Sequence, residues 1–173
     1  MEFFVAVKER KSVRKFETRE VEDDKLNLIL ETINLAPSAG NLQAYEVVLV
    51  KEAQRRAELA QAAFGQEFLA QAPLTLVFCA NPMQSASKYG KRGAELYSIQ
   101  DATIAAAYCQ LAATALGLAT VWVGAFDPKA VSQAIKAPPS IIPVAMIPIG
   151  YAAEEPQRPP RRSLEDLVHK ETL

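Results

Sequence analysis

Arg10, Ser12 and Arg14 stand at alternate positions near the start of the chain, with Lys11 and Lys15 beside them. On an extended segment such alternate residues share a face, and two guanidiniums with a hydroxyl match the geometry of a phosphate. A solvated basic loop is the plain alternative, because a short run of cations needs no ligand. Arg161 and Arg162 form a second basic pair behind a proline-rich stretch. They could join the same anion or serve as surface charge.

Two further segments could meet a flat ligand. In Pro37-Ser38-Ala39-Gly40-Asn41-Leu42-Gln43, small residues permit close backbone approach, while Ser38, Asn41 and Gln43 offer polar contacts to ring edges. An ordinary helix-to-strand turn would have similar composition. Val121-Trp122-Val123-Gly124-Ala125-Phe126 reads as a strand running into a turn, where freed N–H groups can face a ligand. A core Trp followed by a turn Gly is the alternative. Gly90-Lys91-Arg92-Gly93 is either a basic loop over a site, with Lys91 and Arg92 touching substrate, or a plain connection.

Other chemistries find no support. There is no G-x-G-x-x-G, no P-loop and no G-x-S-x-G elbow. Cys79 and Cys109 lie in apolar stretches without metal-ligand spacing, and a single His, His169, leaves little room for zinc or a His-based triad. No metal is expected. If the protein is an enzyme, a cofactor carries the difficult step.

These residues need elements to hold them. Helices are expected at Phe3 to Val7, after a cap at Asp23 or Asp24 (with Leu26, Ile29, Leu30 and Ile33 inward), at Ala53 to Phe64, and after Asp127-Pro128. Strands are expected at Glu46 to Val50, Leu74 to Ala80, Ala119 to Val123 and Ile141 to Ile149. Ser98 to Leu116 is Ala-rich and apolar on nearly every side, so it must be covered all round, which predicts a subunit interface. Glu154 to Arg162 reads as an extended arm.

The chain of 173 residues can bury a sizeable core. Nineteen Lys and Arg against twenty Asp and Glu disfavour general nucleic-acid binding. No apolar run reaches the roughly 20 residues that span a bilayer, and the start lacks a basic leader. A reduced cytoplasmic location and no membrane or nucleic-acid partner are the expectations.

Taken in order, these segments resemble the nitroreductase family of flavin enzymes. The pieces that carry the resemblance are Arg10-Lys11-Ser12-Val13-Arg14-Lys15-Phe16, Ala36 to Gln43, Gln100-Asp101, Leu116-Gly117-Leu118 with Val121 to Gly124, and Ile149-Gly150-Tyr151 with Arg161 to Glu165. The resemblance spans nearly the whole chain. It implies one α+β domain over residues 1–173, with a three-layer fold and a mainly antiparallel or mixed sheet flanked by helices. It also implies an intimate homodimer with exchange of the C-terminal arm (about 154–173) and FMN at the interface.

By position, Arg10 and Ser12 would serve the FMN phosphate, with Arg161 and Arg162 arriving from the arm and Lys11 among the cofactor-binding residues. Arg14 would reach the N1/C2=O edge of the ring. Pro37, Ser38, Ala39 and Asn41 would come from the partner subunit, with Gln43 also among the cofactor-binding residues, and Trp122, Val123 and Gly124 would pass the other side with a main-chain N–H near N5. The implied activity is electron transfer from NADH or NADPH to nitroaromatic, quinone or related acceptors by alternating turnover. The alternatives are a relative that dehalogenates, desaturates or fragments a ligand or the flavin, and a non-catalytic FMN storage or sensing protein. Two departures stand out. Gln43-Ala44-Tyr45 replaces the Gln-Pro-then-Trp of many relatives, and the chain lacks the long insertions that form substrate lids in larger ones.

Overall fold

The layering follows from one strand. Leu74–Ala80 is buried along its whole length. Its Leu74, Leu76 and Phe78 enter one core with Leu26, Ile29, Ala105, Cys109 and Ala113. Val77 and Cys79 enter another with Leu59, Leu69, Val131 and Met146. A strand apolar on both faces has to lie between two covering layers.

The computed structural model describes residues 1–173. In chain order the elements are α1 (Phe3–Glu9), α2 (Asp23–Asn34), β1 (Tyr45–Val50), α3 (Ala53–Ala62), α4 (Phe68–Gln71), β2 (Leu74–Ala80), α5 (Pro82–Arg92), α6 (Ser98–Ala115), β3 (Ala119–Thr120), α7 (Pro128–Ala134), β4 (Ile142–Gly150) and α8 (Leu164–Leu167). The strands form one sheet in the order β1-β2-β4-β3, antiparallel throughout. Helices α2 and α6 cover one face, and α3, α4 and α7 the other. No helix is long and apolar enough to cross a membrane.

Several expectations are corrected. The expected strand Ala119 to Val123 pairs only at Ala119–Thr120, then rejoins β4 at a single bridge, Val123 to Met146. Continuing that register sets Val121 opposite Pro148, which has no N–H to complete the pair. Asp23 and Asp24 sit inside the first turn of α2, with Glu22 at the cap position. There they favour the helix through its dipole. The expected helix Ala53 to Phe64 stops at Ala62, because Phe64 and Gly65 take positive φ. Helix α5 was not foreseen, although its signals are ordinary: Asn81 caps it by accepting from Gln84 N–H, and Pro82 opens it.

Around Tyr151, at the end of β4, the sheet is tied to α2. Its hydroxyl donates to Glu22 Oε2 at 2.5 Å and accepts from Lys25 Nζ at 2.6 Å. Arg19 lies 3.9 Å over the ring and also bonds Glu22. The Tyr151 hydrogen bond is the leading cause that holds the Glu22 carboxyl at about 2, down from 4.5. A lowered folded-state value contributes stability above pH 4.5 that is lost as the pH falls towards 2. Tyr151→Phe should therefore flatten the acid limb of a plot of melting temperature against pH over that window.

Candidate cofactor-binding site

The basic segment is extended, as its chemistry requires. Past Arg10, Val13 N–H donates to Thr120 O at 3.0 Å, Ser12 bridges Thr120 in parallel, and Phe16 bridges Ala152. Val13 and Phe16 are buried with Ala72, which anchors the strip by its apolar side. On the other side Arg10, Lys11, Ser12 and Arg14 line a cavity of about 270 Å³.

The C-terminal arm closes that cavity. Arg14 N–H donates to Glu154 Oε1 at 2.6 Å, Lys11 pairs with Glu155 at 3.6 Å, and Arg158 reaches Arg10 O at 3.4 Å. Arg158 and Arg161 then line the wall, together with Pro156, Gln157 and Pro159. Every ionisable side chain on the wall is a cation. The Arg10 guanidinium is held below its ordinary value by burial first, then by Arg161 and Arg158. A dianion placed here removes that repulsion and gains charge-assisted hydrogen bonds.

Arg158 escaped the sequence reading, and Arg162 does not join the wall. The signal was present in Arg158-Pro159-Pro160-Arg161. A polyproline helix has three residues per turn, so positions three apart share an edge and the next residue turns away. Arg162 instead donates to Asp166 O in α8. For comparison, the larger groove of about 690 Å³ between α3 and α7 carries Glu58 and Asp127 and no cation. It does not suit a phosphate.

The second segment is a strained turn. Gly40, Asn41 and Gln43 take φ of 59°, 58° and 49°. Gly40 takes this region freely and Asn41 readily, so the strain falls on Gln43, whose backbone persists there only because the surroundings impose it. Here Asp101, buried at the start of α6, accepts from Ala39 N–H at 2.9 Å and Ala44 N–H at 3.4 Å. Ser38 Oγ accepts from Gln43 N–H at 2.9 Å, and the Gln43 side chain donates to Asn41 O. Pro37, Ser38 and Ala39 line a cavity of about 460 Å³ with Gln100, Asp101, Thr103 and Ile104. No residue lines both this cavity and the basic one.

In the third segment Val123 N–H is committed to Met146 O at 3.0 Å. Gly124 N–H has no acceptor within the chain, nor do those of Trp122, Ala125 and Phe126, so this turn offers free donors to a ligand. Trp122 is exposed and its indole nitrogen lies beside Gly124. Lys91 and Arg92 end α5 rather than a loop, with a break at Gly90, and both are engaged: Lys91 with Glu95 at 3.7 Å, and Arg92 with Tyr97 Oη at 3.0 Å.

Residues 7–67 and 60–151 match the Nitroreductase family. The chain belongs to the nitroreductase family. It is 29% identical to an FMN reductase [NAD(P)H] of Bacillus subtilis, covering 99% of this chain and 74% of that one. An NADH dehydrogenase of Thermus thermophilus is 30% identical, over 94% and 93% of the two chains. Among solved structures, the NADPH:FMN oxidoreductase of Vibrio harveyi complexed with NAD+ superposes with a TM-score of 0.91 at 25% identity, over 99% and 77%. The nitroreductase fold therefore accounts for the antiparallel sheet and its flanking helices.

Within this family member, Asp101 is a positioning residue whose loss has a direct cost. Asp101→Ala leaves Ala39 and Ala44 N–H without their acceptor, and a lost hydrogen bond to a charged group costs about 1.5–3 kcal/mol. Urea unfolding should show a destabilisation of that size, with Asp101→Asn recovering part of it.

Proposed function

We propose that this chain is an FMN-dependent oxidoreductase. It takes electrons from NADH or NADPH and passes them to flat acceptors such as nitroaromatics and quinones, with donor and acceptor using one site in turn. The observation that carries the reading is the all-cationic cavity in which Arg10 is crowded by Arg158 and Arg161. Its donor set fits a phosphate monoester, and the named relatives include an FMN reductase and an NADPH:FMN oxidoreductase.

Arg10, Ser12, Arg158 and Arg161 would hold the FMN phosphate. FMN, when bound, supplies the two-electron chemistry at its ring. Arg14 sets a permanent positive charge towards the N1/C2=O edge, where negative charge gathers, so no titrating residue has to do this. Gly124 N–H offers a donor to the opposite part of the ring. The thiols are poor candidates for chemistry: burial pushes Cys79 up to about 12 and pushes Cys109 up as well.

The site is completed by a second copy. Thr103, Ile104, Ala107, Tyr108, Leu111 and Ala115 run along the uncovered side of α6 at helical spacing. Phe3 and Phe4 of α1 add apolar surface, 61% and 76% exposed. Such a face on one side of the chain fits a self-complementary dimer. The strained Pro37–Asn41 turn borders the same stripe through Thr103 and Ile104. A partner packed on α6 would bring that turn to the neighbouring ring. Leu164, Leu167 and Val168 are exposed at and just beyond α8, which suits an arm lying across the second copy.

Two outcomes test this reading. Arg10→Ala and Arg158→Ala should each weaken FMN binding about tenfold or more, while Arg162→Ala changes it less than about twofold and riboflavin affinity stays level in all three. Flavin-fluorescence titrations read this directly. Leu111→Glu should place a charge in the α6 stripe and give monomers that lose FMN together with the dimer, as read by sedimentation and by absorbance. A stable monomer that keeps its full flavin content would sink the shared site.

A further inference from the structure

Helix α5 carries three cations near its end, and they are not equivalent. Lys91 has Glu95 as its partner, and Arg92 donates to Tyr97 Oη. Lys88 has no acidic partner and accepts no restraint from a hydrogen bond. Its Nζ lies 5.4 Å over the Tyr89 ring, and Tyr89 packs edge-on against Tyr97 at 5.1 Å.

Lys88 and Tyr89 are also the residues that face the strained turn. A Cβ at Gly40 would overlap Tyr89 Oη and would stand 2.8 Å from Lys88 Nζ. The contact is held from the other end of α5, where Asn81 N–H donates to Ala44 O at 2.9 Å and the Gln84 amide donates to Leu42 O. An uncompensated cation therefore stands at the edge of the segment that the proposed function lays against the ring.

We propose that Lys88 recognises the diphosphate of the nicotinamide donor. The inference rests on the oxidoreductase reading above and names what selects its reductant. An ammonium is a point charge with three rotatable donors, which suits a diphosphate that arrives in several orientations better than a fixed fork would. NADH and NADPH both carry that diphosphate, whereas quinones and nitroaromatics as a class carry no charge. A rim cation of this kind acts on encounter and on salt dependence more than on the bound geometry.

The experiment uses the FMN-loaded protein and calorimetric titration with NAD+. Lys88→Gln should weaken NAD+ binding about threefold to fivefold and flatten its dependence on salt, and Lys88→Arg should restore both. A dihydronicotinamide bearing a neutral N-benzyl group in place of the dinucleotide should bleach the flavin absorbance equally fast in wild type and Lys88→Gln. Equal NAD+ affinity in the two proteins overturns the inference, and so does a slower reaction of Lys88→Gln with the neutral donor. A loss confined to kcat/KM for a sulfonated quinone, with NAD+ binding intact, overturns it in favour of acceptor recognition. Flavin that neither NADH, NADPH nor the neutral donor bleaches overturns the oxidoreductase reading itself.

Discussion

The main-chain pairing of residues 12–17 joins the two ends of the chain, and the basic cavity depends on it. Val13 bonds Thr120 beside the sheet, Glu17 N–H donates to Tyr151 O, and Ala153 N–H donates to Lys15 O. These bonds seat the N-terminal strip between β3 and the chain leaving β4. Only in that seat do Arg10 and Arg14 meet an arm that begins about 140 residues later. The pairing energy holds together cations that repel one another, and burial first, then Arg161 and Arg158, keep the Arg10 guanidinium below its ordinary value. Binding sites for anions are commonly built this way, with the charge supplied in advance and the repulsion carried by the fold.

A second constraint acts at the turn before β1. Three residues there have left-handed backbone within four positions, and a buried carboxylate fixes the N–H groups of Ala39 and Ala44 on either side of them. Asp101 belongs to α6, whose uncovered side forms the proposed dimer face. The same helix thus sets the shape of the turn and, in the proposed dimer, would set the position of a second copy against it. That economy suits a composite site, since shape and assembly cannot drift apart independently.

The charges around the site divide into engaged and free ones. Lys11, Lys91 and Arg92 are each held by a side chain of their own subunit, and Arg162 by a main-chain carbonyl. Arg161 and Lys88 have no partner of either kind and Arg158 has only the main-chain oxygen of Arg10, and two of these three were not among the residues that the bare sequence singled out. Residue type alone cannot make this distinction. A cation's availability depends on which carboxylates the fold brings near it.

By itself the sequence determined the layers and the character of the site. Leu74 to Ala80 had to be covered on both faces, and α2 and α6 had apolar residues to do it. The alternation Arg10, Ser12, Arg14 already marked a basic strip, because side-chain direction along an extended chain is a local property. A solvated loop remained the alternative until the arm closed over the strip. Tertiary structure decided the rest. Pro148 on the neighbouring strand shortened β3, α5 brought Lys88 rather than Lys91 or Arg92 to Gly40, and the path of the arm brought Arg158 and Arg161 to the wall but not Arg162. Each of these depends on what stands opposite a residue in space, which is a long-range contact that local spacing does not encode.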